Sequence, residues 1–258
     1  MRSALYFPHT EVRSPNIMRT ALLTWDTLEF ISPFDGYRPA YQDRQMARAA
    51  ELISRPRVPT GDEQARVHEL IDDLIQSGVP DSFKYSPPDG ARESGYEIWP
   101  QKLAPKTWEL LQRSGLTGGV LSNFDYPASQ ATGLSLMAIL ADVLAGTTRA
   151  RITDRGLAYA AIANAPHVGS AAAELGTVVP LTIETLALKK VSLEKLIAFR
   201  ERESKDSSGD YRTLRHNYLA LVEKQASAIA AVAAGSSDRQ ELDRVFAGDV
   251  PDSVERVN

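Results

Sequence analysis

Two short apolar runs near the start of the chain constrain the fold more than any other feature. Residues 4–7 read Ala-Leu-Tyr-Phe and are followed by Pro8, and residues 28–31 read Leu-Glu-Phe-Ile and end before Pro33. Short runs that are mainly apolar and stop near a proline are typical of strands. The pattern therefore predicts two strands close together in the sequence.

The segment between these runs has the pattern of an amphipathic helix. Ser14 and Pro15 suit the N-cap and the first helical position. Apolar residues then recur at spacings of three and four, namely Ile17, Ala21, Leu22, Trp25 and Leu28. This spacing places Trp25 on the apolar face and Asp26 near its edge. We therefore expect a strand, a helix and a second strand around which the rest of the chain is organised.

Helical periodicity dominates the remaining sequence. We expect a mainly α protein with a small mixed β-sheet, an α+β fold, because short strands separated by helices disfavour a sandwich. The predicted strands are residues 4–7 and 29–31, with residues 97–99 or 120–121 as additions.

The end of the chain carries two further helical patterns. Residues 192–204 and 210–234 flank the polar stretch Lys-Asp-Ser-Ser-Gly, which is typical of a turn. Helices joined by so short a connection pack side by side. The sequence therefore predicts a C-terminal antiparallel helical hairpin.

Residues 1–247 are predicted to form a single globular domain. An alternative remains open, with two sub-regions at residues 1–79 and 96–247 joined by a loop at residues 80–95, where prolines and glycines replace apolar periodicity. Residues 248–258 contain few apolar side chains and are predicted to be a flexible tail.

Composition excludes several classes of protein. The chain has no cysteine, which removes disulfides, thiolate nucleophiles and cysteine-based zinc sites. A net charge of −4 disfavours a mainly electrostatic grip on nucleic acid, although a local basic patch remains open. No apolar tract is long enough for a signal peptide or a bilayer span. We expect a soluble cytoplasmic protein with no membrane partner.

Two segments resemble a functionally uncharacterised bacterial family. Its members begin with an Ala-Leu-Tyr-Tyr-Pro strand, a helix carrying Leu-Leu-Tyr-Trp-Asp and an Ile-Val-Pro strand. The matching residues here are Ala4-Leu5-Tyr6-Phe7-Pro8-His9, Ala21-Leu22-Leu23-Thr24-Trp25-Asp26 and Ile31-Ser32-Pro33, with a second echo at residues 192–201. Phe7 and Thr24 depart from the family's tyrosines. The resemblance implies a bacterial protein of an accessory gene neighbourhood and assigns no catalytic residue.

The first candidate site combines His9, Asp26 and Glu29. If the first strand and helix pack together, these side chains could share a cleft and exchange protons as acid and base. In the alternative interpretation, Trp25 packs in the core and Asp26 caps a helix or pairs with an arginine. His68 lies near two carboxylates, but the spacing does not match known metal ligands, so no metal site is predicted.

The second candidate site is a group of cations near the C-terminal hairpin. Arg200, Arg212 and Arg215 could bind an anion such as a phosphate. Acidic residues in the same region, including Glu201 and Glu203, favour internal ion pairs instead.

Common catalytic motifs are absent. No phosphate loop, nucleophile elbow or Gly-x-Gly-x-x-Gly fingerprint occurs, so no cofactor is predicted. The leading hypothesis is an interaction or accessory protein that binds another protein or itself, in a defence or toxin-type bacterial system. The rival hypothesis is a hydrolase or nuclease that uses His9, Asp26 and Glu29, either directly or through a bound metal. Whether the protein is an enzyme stays open.

Overall fold

The computed structural model describes residues 2–87, 96–153 and 191–235. In these ranges the strands are β1 (Ser3–Phe7), β2 (Thr27–Ile31), β3 (Ser54–Arg57), β4 (Tyr96–Ile98), β5 (Tyr126–Ala128) and β6 (Ala150–Thr153). The α-helices are α1 (Pro15–Thr24), α2 (Arg44–Ile53), α3 (Gly61–Gln76), α4 (Pro105–Arg113), α5 (Gln130–Ala145), α6 (Leu193–Lys205) and α7 (Asp210–Gly235), with short 3-10 turns at Asp81–Phe83 and Pro100–Lys102. The predicted tail and residues 88–95 of the predicted loop lie outside the described residues.

Helices combined with small sheets agree with the predicted class, but the main sheet is parallel rather than mixed. Its four described strands lie in the order β3-β2-β1-β6, and each pairs in parallel with its neighbours. Helices α1 and α2 each return the chain to the same edge of the sheet, which makes consecutive strands parallel. Antiparallel pairing occurs between β4 and β5, which form a separate two-stranded sheet.

Strand β1 divides the hydrophobic core between two faces. Ala4 and Tyr6 belong to a cluster with side chains of α1, α2 and α6. Leu5 and Phe7 belong to a second cluster with side chains of α3, α4 and α5. Because successive side chains of a strand point to opposite faces, one strand supplies both clusters. The second cluster combines residues from both predicted sub-regions, 1–79 and 96–247.

Capping residues mark the starts of several helices, and Ser14 with Pro15 does so as the sequence predicts. The Ser14 side chain accepts a hydrogen bond from the backbone N–H of Ile17, and Pro15 occupies the first turn of α1. Thr60 and Glu63 form a capping box at the start of α3. Helix α1 ends at Thr24, however, so the half-buried Trp25 follows the helix instead of lying on its apolar face.

The sequence offered residues 97–99 or 120–121 as an additional strand, and it missed others. Residues 97–99 do overlap a strand, β4, but residues 120–121 form none, because the Leu121 N–H bonds to the Asp125 carbonyl in a loop. Three other strands, β3, β5 and β6, were not predicted. Strand β3 contains Pro56, which an edge strand tolerates because its missing N–H costs no ladder hydrogen bond on the open side.

None of the helices in the described ranges has a stretch long and apolar enough to cross a membrane.

Helices α6 and α7 are joined by a turn in which Asp206 accepts hydrogen bonds from Ser208 and Tyr211. The rings of Phe199 and Tyr211 meet edge to face with centroids 5.7 Å apart.

Helix α5 has a glycine where β4 approaches it. A Cβ placed on Gly133 would lie 2.2 Å from Cγ and 2.5 Å from Cβ of Tyr96. Alanine would gain about 1 kcal/mol of helix propensity. The overlap is the larger effect, because it includes Tyr96 Cβ, which can move only with the backbone of β4. We therefore expect Gly133→Ala to lower the free energy of unfolding by about 1–3 kcal/mol. Urea unfolding followed by circular dichroism measures it.

Gly61→Ala is the matched control. Gly61 begins α3, and no atom lies within 4 Å of the position that its Cβ would occupy. We expect this variant to unfold like the wild type. Equal stabilities for the two variants would contradict the packing of β4 against α5.

Candidate active site

A cleft of about 480 Å³ opens where strand β1 ends. From β1 the chain winds out to β3 on one side and returns through α5 to β6 on the other. In open parallel sheets, ligands bind at such a reversal, outside the carboxyl ends of the strands. Pro8, His9 and Thr10 directly follow β1 and line this cleft.

The other cleft residues come from segments distant in the sequence. They are Tyr96, Glu97, Trp99, Lys102, Asp125, Gln130 and Leu134. The two-stranded β4–β5 sheet places Glu97 beside the loop that carries Asp125. The first turns of α5 also line the cleft, through Gln130 and Leu134.

Lys102 is the buried cation of the cleft. The residue is only 7% exposed, and its Nζ lies 3.8 Å from Sδ of Met137 and 5.2 Å from the centroid of the Trp99 ring. No carboxylate of the described residues forms an ion pair with it. Burial lowers the pKa of Lys102 to about 8, against the opposing effect of the Asp125 charge.

Two carboxylates stand close together in the same cleft. The side-chain amide of Asn123 donates to Glu97 Oε2 at 2.9 Å and to Asp125 Oδ2 at 3.3 Å. Burial raises the pKa of Asp125, and the charge of Glu97 acts in the same direction. Asp125 therefore holds a proton at higher pH than an ordinary aspartate.

This arrangement can support proton transfer and nucleophilic chemistry. A lysine with a lowered pKa carries a useful fraction of neutral amine near neutral pH. A carboxyl group with a raised pKa, together with a histidine, supplies donors and acceptors of protons. Among the described residues, no group of three or more histidine and acidic side chains is positioned to hold a metal ion.

The structure separates the residues of the first predicted site. His9 lies in the cleft at the carboxyl end of β1. Asp26 directly precedes β2 and so lies at the amino ends of the strands. A five-residue strand spans about 16 Å, so the two side chains cannot share a proton. Glu29 lies within β2, with its Oε2 2.9 Å from Nε of Arg149. Parallel pairing causes this separation, because a residue that precedes one strand and a residue that follows the neighbouring strand lie at opposite ends of the strands.

Asp26 instead belongs to a buried ion-pair network. Arg215 is 2% exposed; its guanidinium contacts Asp26 Oδ1 and lies 2.9 Å from Glu203 Oε1. The backbone N–H of Arg2 donates to Asp26 at 2.6 Å. Although burial raises the pKa of Asp26, these hydrogen bonds and the Arg215 charge outweigh it and lower that pKa to about 2. Asp26 is therefore a structural anion.

The predicted anion-binding arginines join the same network to different degrees. Arg200 Nη1 lies 2.9 Å from Glu203 Oε2, so Arg200 and Arg215 both pair with this carboxylate. Arg212 has a 66% exposed side chain and lies 3.9 Å from Glu203. Internal pairing thus occupies two of the three arginines. This pairing connects α6 and α7 to Asp26 in the turn between α1 and β2, and Arg215 also donates to the carbonyl of Leu23 in the last turn of α1.

Sequence reasoning missed Lys102, Glu97 and Asp125. One signal was present, since Lys102 is a lone charge between Trp99 and Leu103 in an otherwise uncharged segment. His68, considered as a metal ligand, instead places its Nδ1 3.1 Å from the Thr107 hydroxyl and so links α3 to α4.

Comparisons with known proteins give no relative: no protein-family model, no curated protein and no solved structure matches the chain. The resemblance of residues 4–33 to an uncharacterised bacterial family therefore stays a prediction.

The buried network predicts that Asp26→Asn strongly destabilises the protein at neutral pH. Removing one partner of a buried pair typically costs about 3–5 kcal/mol. Glu203 still pairs with Arg215 in this variant, so we expect the free energy of unfolding to fall by about 2–4 kcal/mol. Chemical unfolding at pH 7 measures this loss. Lys205→Met, at an exposed residue of α6, serves as the control and should leave stability unchanged.

The same pair gives a pH dependence of defined sign. Because the pKa of Asp26 is lower in the folded protein than its ordinary value of 3.8, its contribution is complete above that value and lost as pH falls toward 2. The stability difference between wild type and Asp26→Asn should therefore shrink between pH 4 and pH 2. A difference that stays constant over this range would contradict the assignment.

Proposed function

We propose that the protein is an enzyme that acts on a small polar substrate in the cleft at the end of β1. The observation that carries this proposal is Lys102, a buried lysine that lines an open cleft and has no carboxylate of the described residues within ion-pair distance. A buried charge without a partner reduces stability, and such groups concentrate at functional sites. The proposal keeps His9 from the predicted acid–base site and replaces Asp26 and Glu29 by Asp125 and Glu97.

Each side chain has a role that follows from its surroundings. Asp125, with its raised pKa, can transfer a proton to or from the substrate, and Glu97 raises that pKa through its own charge. Asn123 holds the two carboxylates together through its amide. Trp99 and Tyr96 provide flat apolar surface on which a substrate can lie.

A thermal-shift screen tests whether the cleft binds small molecules. The probes are defined sets of aldehydes, ketones, carboxylic acids, sugars and nucleotides. We expect one class to raise the melting temperature of the wild type. Asp125→Asn and Lys102→Met should weaken that binding at least about tenfold, because a hydrogen bond to a charged group contributes about 1.5–3 kcal/mol.

Glu69→Gln is the control for the carboxylate variant. Glu69 lies on α3 with a 62% exposed side chain and contacts Arg66 outside the cleft. It should bind the same probe as tightly as the wild type. Unchanged binding by both cleft variants would exclude this site. The absence of any shift in the wild type would favour the second candidate function.

The second candidate is the interaction or accessory role that the sequence suggested. Val120 and Phe124 are 51% and 75% exposed in the loop beside Asp125, and Phe124 adopts a φ of 71°. This left-handed conformation is costly for a bulky aromatic residue. An exposed aromatic held in this way favours contact with a second copy of the chain, and the hairpin predicted for α6 and α7 would add helical surface.

Self-association tests this second role. Asparagine tolerates the left-handed conformation, so Phe124→Asn removes the ring without adding strain. Sedimentation velocity should then show a weaker dimer than in the wild type. A wild type that stays monomeric at high concentration would remove the support for this role.

A further inference from the structure

Lys102 differs from the other lysines of the described residues in its surroundings. Lys84, Lys106, Lys195, Lys205 and Lys224 are exposed, whereas Lys102 is buried. Its Nζ contacts the Met137 thioether and lies over the Trp99 ring. A thioether is a weak acceptor, and a ring face leaves the nitrogen without a fixed hydrogen-bond partner. Within the described ranges, the amine is therefore not engaged by an anion that would hold it in its charged form.

We propose that Lys102 forms an imine with the carbonyl carbon of a small aldehyde or ketone substrate. This inference rests on the proposed function, because it places the substrate in the same cleft. Burial supports it, since the lowered pKa of Lys102 makes neutral amine available near neutral pH. Lysines activated by desolvation are known nucleophiles toward carbonyl groups.

The reaction balances with the groups in the cleft. The lone pair of neutral Nζ forms the C–N bond, and the carbonyl π electrons move to oxygen, which takes up a proton. The resulting carbinolamine loses its nitrogen proton and, after a second protonation of its oxygen, releases water to give the C=N bond. Asp125 is placed to supply and accept these protons, because its carboxyl lies in the same cleft and burial raises its pKa.

The charges of the cleft define the substrate class. Glu97 and Asp125 carry up to two negative charges against the one positive charge of Lys102. A substrate with its own carboxylate or phosphate would meet repulsion near these side chains. The carboxylates instead accept hydrogen bonds from hydroxyl groups. The cleft therefore suits a small, uncharged, hydroxylated aldehyde or ketone.

Reductive trapping tests the proposal on the full chain. Wild-type protein is treated at pH 7 with glycolaldehyde and sodium cyanoborohydride, which reduces an imine to a stable secondary amine by hydride transfer. Peptide mass spectrometry then measures the labelling rate at each lysine. The comparison of Lys102 with exposed Lys106 within one molecule requires no variant and does not depend on the folding of a mutant.

We expect Lys102 to be labelled at least about tenfold faster than Lys106. With a pKa of about 8, about a tenth of Lys102 is neutral at pH 7, against less than a thousandth of an ordinary lysine. Between pH 6 and 10 the Lys102 rate should level off near pH 8, while that of Lys106 continues to rise. The other titratable groups that line the same cleft are His9, Tyr96, Glu97 and Asp125. Lys102→Met should abolish the fast labelling, and Lys106→Met should not affect it.

A second probe separates the two proposals. Glyoxylate, which carries a carboxylate, should label Lys102 more slowly than glycolaldehyde, and the reverse order would overturn the substrate class.

Labelling of Lys102 no faster than Lys106 would overturn the proposal that Lys102 forms an imine. If cleft variants still lose the thermal shift in that case, the enzyme proposal stands without it. If they do not, both fail.

Discussion

Burial of strand β1 on both faces and along both edges is the constraint on which the rest of the structure depends. Its residues from Ala4 to Phe7 are fully buried, because β2 and β6 pair with its edges and helices cover its faces. Alternate side chains then enter two separate hydrophobic clusters. Each cluster requires its own set of helices, so a five-residue strand determines where α1, α2 and α6 lie relative to α3, α4 and α5.

The same arrangement creates two polar regions with different physical characters. At the amino ends of the strands, Arg215 is buried against Asp26 and Glu203, so its charge is compensated. These ion pairs join α6 and α7 to the turn between α1 and β2. Buried pairs of this kind are costly to break, since removal of one partner leaves an uncompensated charge. The network therefore makes the position of α6 and α7 depend on Asp26.

At the carboxyl ends of the strands, Lys102 is buried, and no carboxylate in the part of the chain that the structure describes forms an ion pair with it. The Trp99 ring face attracts its ammonium weakly, and Asp125 acts at longer range. Desolvation thus dominates and favours the neutral amine. The buried Arg215 is fully paired, whereas the amine of the buried Lys102 can still react with a bound molecule. This contrast is the physical reason to place chemistry in the cleft rather than around Asp26.

The sequence by itself determined the local elements. Ser14 with Pro15, and Thr60 with Glu63, mark helix starts because capping depends on residues three positions apart. Apolar runs located β1 and β2 for the same local reason. Strands β3, β5 and β6 were not predicted because they are only three or four residues long and lack a clear apolar pattern, so pairing with neighbouring strands gives them their conformation. Only the tertiary structure decided the site. Parallel pairing placed His9 and Asp26 at opposite edges of the sheet, and contacts between distant segments brought Lys102, Glu97 and Asp125 to His9. No periodicity within a segment records such contacts, because they arise from the packing of β4, β5 and α5 against the end of β1.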